Sequence, residues 1–350
     1  MSLSMRRLLV LVTSLVVGSV SLSGQDSASL PRLHHVGLNS VDPDRAIAWY
    51  LALWPTARRT TLDGQPAVEA EMLLHFKKVD RPPAGAWRDD VHRGAPQSAF
   101  WHIGAFINTT DLPARLEPLG VKHLPLFTGP RDMPTVWRSG LAPYNGTLTA
   151  SQLTTAAPAA PRAGGFSYVV APDGVLFELT GGADTRPSLS HVHFFHEKPL
   201  CAANWYVEHL GMTLPLGRDS AGREVRRTAH APCDVPQGEA GWPSLEEVGT
   251  IRQPAGSVRY GNGSMAWYPR QCTGSRCGTD QPLVPSRGQV LDHVAFSVRD
   301  LDGLFARLQR AGVKVLEAPR RFGESRSFMI EDPDGLAIEL VELRPSTPDR

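Results

Sequence analysis

Four short apolar runs stand out along the chain, and each carries a histidine near its start: Leu33-His34-His35-Val36-Gly37-Leu38, Phe100-Trp101-His102-Ile103-Gly104-Ala105-Phe106, Leu189-Ser190-His191-Val192-His193-Phe194 and Leu291-Asp292-His293-Val294-Ala295-Phe296. Runs of this length and composition predict strands. Helical patterns follow them. Asp42-Pro43 is a helix start, a capping side chain followed by a preset φ, and Leu210-Gly211 ends a helix that begins near Pro199. Leu301, Leu304, Phe305 and Leu308 fall on one helical face. Two further apolar strands each follow a Pro-Asp-Gly turn and carry one glutamate: Pro172-Asp173-Gly174-Val175-Leu176-Phe177-Glu178-Leu179 and Pro333-Asp334-Gly335-Leu336-Ala337-Ile338-Glu339-Leu340. The turn is a hairpin signal.

These segments repeat. Fourteen positions separate His35 from Trp49, which precedes Tyr50, and fourteen separate His191 from Trp205, which precedes Tyr206. Asp111 to Lys122 after His102 matches Leu301 to Lys314 after His293. The chain therefore reads as four units, roughly 32–80, 98–182, 189–270 and 290–343, each a strand, a helix and further strands. Odd units resemble odd and even resemble even, the mark of a duplicated pair. The expected class is α+β, with one domain over 32–182 and a second over 189–344. The small, polar stretch Gly181 to Ser188 separates them. Long insertions at 80–98, 128–165 and 215–256 interrupt the plan, as lids, binding loops or unstructured segments do.

Composition changes this picture little. The chain has 350 residues, 41% apolar and 20% charged, with a formal net charge of +1. That is an ordinary globular composition, and the charge gives no argument for a nucleic-acid partner. The start of the chain adds something. Arg6 and Arg7, the apolar run Leu8 to Val20 and the small residues Ser21-Leu22-Ser23-Gly24 predict a secretory signal over 1–24 and an exported protein with no membrane span in its mature form, with an uncleaved membrane anchor as the alternative. Four cysteines in an exported chain suggest disulfides. Cys272 and Cys277 bracket a short loop that can close on itself, which would leave Cys201 to pair with Cys233. Buried thiols are the alternative.

The candidate chemistry lies in the histidines and glutamates. Two neutral imidazoles and one carboxylate form a facial set that leaves positions open for water and substrate, and it suits Fe(II), Mn(II), Zn(II), Ni(II) or cobalt. A glutamate on the inward face of an apolar strand needs a partner, and Glu178 and Glu339 both have that setting. If the opening strands of the two units within a domain sit side by side, His35 converges with His102 and His191 with His293. Glu178 and Glu339 then complete the two sets.

The pattern resembles the vicinal oxygen chelate superfamily of glyoxalase I, extradiol dioxygenases and the fosfomycin and bleomycin resistance proteins. The residues that carry the resemblance are His35-Val36-Gly37-Leu38 with Trp49-Tyr50, His102-Ile103-Gly104, His191-Val192 with Trp205-Tyr206 and Leu210-Gly211, and His293-Val294-Ala295-Phe296 with Asp332-Pro333-Asp334-Gly335 and Glu339. The resemblance implies βαβββ modules, paired around a divalent metal in cupped mixed sheets. By position it makes His35, His102 and Glu178 ligands in the first domain, and His191, His293 and Glu339 ligands in the second. Glyoxalase I takes a fourth ligand from the last strand of its first module, where this chain has His75; the matching stretch Ser264 to Tyr268 offers none.

The extradiol signature of a His and then a Tyr before the Pro-x-Gly turn is incomplete. Tyr168 stands at the right spacing before Pro172 and is a candidate catalytic residue, but the second half has Phe328-Met329-Ile330 there. Tyr168, His193 and His196 are the candidate acid–base helpers. Export disfavours a glutathione-dependent lyase. The expected function is a metal-dependent lyase or isomerase acting on a small molecule with vicinal oxygens. A ring-cleaving dioxygenase or a non-catalytic small-molecule binding protein is the alternative.

Overall fold

The computed structural model describes residues 30–85 apart from 55 and 71–72, then 98–106, 117–119, 123–128, 135–138, 142–144, 166–180, 188–235, 254–269 and 282–343. The signal segment, the Cys272–Cys277 loop and most of the three insertions lie outside these residues.

Four modules follow one another. The first has β1 (Arg32–Ser40), α1 (Pro43–Leu53), β2 (Arg58–Leu62), β3 (Gln65–Glu69) and β4 (Leu73–Lys78). The second has β5 (Phe100–Phe106), a 3-10 turn at Glu117–Leu119, β6 (His123–Thr128), β7 (Thr135–Arg138), β8 (Ala142–Tyr144), β9 (Phe166–Val170), another 3-10 turn at Pro172–Gly174 and β10 (Leu176–Thr180). The third has β11 (Ser188–His196), α2 (Pro199–Leu210), β12 (Gly217–Arg218), β13 (Glu224–Val225), β14 (Gly256–Tyr260) and β15 (Gly263–Pro269). The fourth has β16 (Leu291–Val298), α3 (Leu301–Arg310), β17 (Lys314–Phe322), β18 (Ser325–Glu331) and β19 (Ala337–Glu342).

The helices begin where the sequence signals them. Asp42 accepts a hydrogen bond from the Arg45 amide at 3.1 Å and Pro43 opens α1. Asp300 does the same for Gly303 at the start of α3, at 2.9 Å. These caps satisfy amides that the first turn leaves without partners. Cys201, on α2, is bonded to Cys233, which ties the loop after α2 back onto the helix.

The modules form two large sheets, in the order β17-β18-β19-β16-β1-β4-β3-β2 and β14-β15-β11-β5-β10-β9-β6-β7-β8. The first sheet joins modules one and four, the second modules two and three. The α+β class and the pairing of modules into sheets agree with the sequence reading; the choice of partners differs. β11 pairs with β5 on the side opposite β10. The chain leaving β10 therefore crosses only one strand before it re-enters the same sheet, and modules one and four are left to each other. Each sequence half thus supplies one module to each sheet.

The halves cohere instead through helices buried between the sheets. On α1, Tyr50 meets Phe76 of one sheet and Phe177 of the other, with ring centroids 5.6 and 5.4 Å apart, and Trp54 packs on Phe177 at 5.4 Å. On α2, Tyr206 packs on Trp267 at 4.4 Å and donates its hydroxyl to Asp332 of the opposite sheet at 3.0 Å. Each such fully buried aromatic contributes about 1.5–3 kcal/mol. The Pro-Asp-Gly turns act here too: Asp173 accepts from the Val41 amide, and Asp334 from the Glu197 amide.

Candidate metal centres

Strand alternation sorts the side chains of each opening strand. On β1, Val36 and Leu38 point into the core while His35 and Gly37 face the cup. On β16, Val294 and Phe296 point into the core while His293 and Ala295 face the cup. The antiparallel register sets His35 opposite Ala295 and Gly37 opposite His293. On β19, Ile338 and Leu340 are buried against the core and Glu339 points the other way.

The three donors meet. His35 Nε2 lies 3.0 Å from His293 Nε2 and 3.3 Å from Glu339 Oε2, and His293 Nε2 lies 3.6 Å from the same oxygen. Cis donors on an octahedral divalent ion are about 3.0 Å apart, given metal–ligand bonds of about 2.1 Å. His75, on β4, lies in parallel register with Gly37 and joins His35 and His293 in one group of donor atoms. Both ring nitrogens of His75 and Glu339 Oε2 are buried with no hydrogen-bond partner among the described residues. Buried polar atoms are rarely left so, and a cation among them would give one His75 nitrogen and Glu339 Oε2 a partner. Residues 35, 75, 293 and 339 form centre one.

Protonation suits the same purpose. Burial lowers the His35 pKa to about 3 and that of His75 to about 4, so both rings are neutral at pH 7. Burial works against the charge on Glu339, but its contacts with His35, His293 and Ser327 win and hold it near 2. Neutral imidazoles and an ionised carboxylate are the forms that ligate. Glu339 is also fixed from behind: Ser327 Oγ donates to Oε1 at 2.7 Å and Arg320 Nη2 at 2.9 Å. Phe322 stacks flat on His35 at 5.6 Å.

Centre two lies in the other sheet. His102 Nε2 is 3.2 Å from Glu178 Oε2 and 3.3 Å from His191 Nε2, and His191 Nε2 is 3.8 Å from Glu178 Oε1. His193 sits opposite His102 in the β5–β11 register and belongs to the same donor group. Burial lowers the pKa of His191 to about 4 and that of His193 well below its usual value. Matched by register, His193 stands where centre one has Gly37, and Ala266 stands where it has His75. The fourth donor has moved sideways by one strand.

All six residues expected from sequence lie in these clusters, but the grouping is corrected. His35 meets His293 rather than His102, and His102 meets His191, because the sheets join modules across the halves. The Ser264 to Tyr268 stretch does lack a ligand; His193 supplies the fourth donor from β11. Its only sequence signal was the i, i+2 spacing from His191, which puts both on one strand face. Tyr168 is paired by register with Glu178, and its side chain lies outside the described residues. His196 faces Asp334 at 3.0 Å, away from both centres.

Two mixed sheets of paired modules, each presenting three histidines and a glutamate that could hold a metal ion, define the class. A family model described as Glyoxalase/Bleomycin resistance protein/Dioxygenase superfamily matches residues 188–340. That stretch is similar to the domains of this superfamily, and the chain as a whole shares its fold with the solved structures it superposes on. Glyoxalase I from Zea mays superposes with a TM-score of 0.55, covering 89% of this chain and 92% of that one at 14% identity. A putative dioxygenase from Bacillus subtilis gives a TM-score of 0.51, covering 91% and 86% at 10% identity. At such identities the likeness is one of fold. No curated protein matches the chain in sequence.

Proposed function

We propose that the chain is a divalent-metal-dependent enzyme that moves a proton on a small molecule with two adjacent oxygens, using centre one. The observation that carries this is the convergence of His35 Nε2, His293 Nε2 and Glu339 Oε2 within 3.0–3.6 Å, with His75 beside them. Four donors of an octahedral set leave two positions, the number two vicinal oxygens need.

When bound, the cation supplies Lewis-acid polarisation of those oxygens. The residues would do the rest. The three imidazoles would hold the ion and Phe322 walls the cup beside His35; Glu339 would complete the set through Oε2 and, once the substrate oxygens replace it there, would take a proton from the carbon beside the polarised oxygen and return it to the neighbouring carbon. Arg320 and Ser327 keep that carboxylate aimed. The Cys201–Cys233 bond, together with the apolar start of the chain, supports an exported, oxidising location for this activity.

The test is metal analysis of the purified protein loaded anaerobically with Fe(II), Mn(II), Zn(II) or Ni(II). It is followed by assays with α-keto aldehydes and catechols under an oxygen electrode. Stoichiometric metal and product formation without oxygen uptake are expected. Oxygen uptake with catechols would move the protein to the dioxygenase reading, and metal without turnover would leave a binding protein. No bound metal would end the proposal.

A further inference from the structure

The two centres differ in what stands behind their histidines. His293 Nδ1 is 2.9 Å from Asp292 Oδ1. Asp292 is itself buried and held: the Gly288 amide donates to Oδ2 at 2.9 Å, Asn39 Nδ2 reaches the same oxygen at 3.4 Å, and Arg287 Nε lies 3.3 Å from Oδ1. Asn39 is in turn fixed by donating to the Gln289 carbonyl at 2.6 Å. The other face of the His293 ring lies over Gly37, where a Cβ would come within 2.2 Å.

In centre two the residue before His102 is Trp101, and four residues after His191, where centre one has Asn39 after His35, stands Phe195. These two stack on each other at 5.3 Å. An aromatic pair replaces the polar one.

We propose that Asp292 is a positioning residue for centre one alone. By accepting from Nδ1–H it fixes the tautomer that presents the Nε2 lone pair to the cup, raises the basicity of that nitrogen and stops the ring from turning. This rests on the metal reading above.

Co(II) serves as the probe, followed by its ligand-field absorption and by chelator competition, in two full-length backgrounds. Glu178→Gln disables centre two, and Glu339→Gln disables centre one. Asp292→Asn in the Glu178→Gln background is expected to weaken Co(II) binding by about ten- to a hundred-fold and shift the absorption bands. In the Glu339→Gln background it is expected to change affinity less than about two-fold. Equal weakening in both backgrounds, tracking a lower melting temperature, would make Asp292 a merely structural residue. Unchanged affinity in the Glu178→Gln background would overturn its role while leaving centre one a metal site. A Glu178→Gln protein that takes up no Co(II) would remove the metal reading and this proposal with it.

Discussion

The His293 imidazole rests directly on the Cα of Gly37, across the β1–β16 pair, so closely that any Cβ at residue 37 would lie 2.2 Å from His293 Cε1 and 2.7 Å from Nε2. Gly104 stands in the same relation to His191 in the other sheet, at 2.1 Å. In both centres a missing side chain on one strand makes room for a donor on the next.

Gly37→Ala should therefore displace His293 from centre one. The added methyl is attached to the backbone of a strand held on both sides and cannot move away. Overpacking of this kind costs about 1–3 kcal/mol. Metal affinity at centre one is expected to fall at least about ten-fold, read by Co(II) competition, with only a modest drop in melting temperature. Unchanged affinity would contradict the placement of His293.

The fourth donors, His75 and His193, separate the centres. His75→Ala should weaken metal binding at centre one and spare centre two, while His193→Ala should do the reverse. Mass spectrometry of the metal-loaded variants at limiting metal checks both. If His193→Ala leaves centre two unaltered, His193 is a packing residue on the cup wall and not a ligand.

Acid should destabilise the metal-free protein. His35, His75, His191 and His193 all have lowered folded-state values. Between the unfolded value of 6.5 and about 4 the unfolded chain takes up protons that these folded rings refuse, so stability falls as pH falls through that window. Asp332 works the other way. Burial raises it to about 6, so from there down to its ordinary value of 3.8 it takes its proton first in the folded state and gains stability on acidification. Four rings outweigh one carboxyl, each contributing up to about 1.4 kcal/mol per pH unit. The melting temperature is expected to fall between pH 6.5 and 4.5, and a flat profile in differential scanning calorimetry would contradict this.

The Cys201–Cys233 bond closes a loop with a sequence separation of 32, for which chain entropy gives about 3–4 kcal/mol. Replacing both cysteines with serine should lower the melting temperature by several degrees without changing metal stoichiometry. No change in melting would mean that the loop after α2 is held by its other contacts, such as Asn204 with the amide and carbonyl of His230.

The modules were legible in the sequence because their signals are local. A Pro-Asp-Gly turn, a capping aspartate and a period-two strand each act within a few residues, and the six donors follow from strand alternation. Which modules share a sheet was not legible. His35 can face His102 or His293 with the same pattern on β1, and the choice is made by the free edge of β5, a long-range property. His75 hung on a one-residue register, decided by its parallel alignment with Gly37. Asp292 gave no periodic signal at all: its partner is the next residue, and only the ring orientation reveals the bond.

Each half of the chain owns two donors of every centre: His35 and His75 against His293 and Glu339, and His102 and Glu178 against His191 and His193. Neither half alone possesses a complete binding site. Two separate halves would have to find each other in solution before a cation could be gripped from both sides. Covalent linkage replaces that encounter with a local concentration of about millimolar, so assembly of the two sites should be indifferent to dilution of the protein.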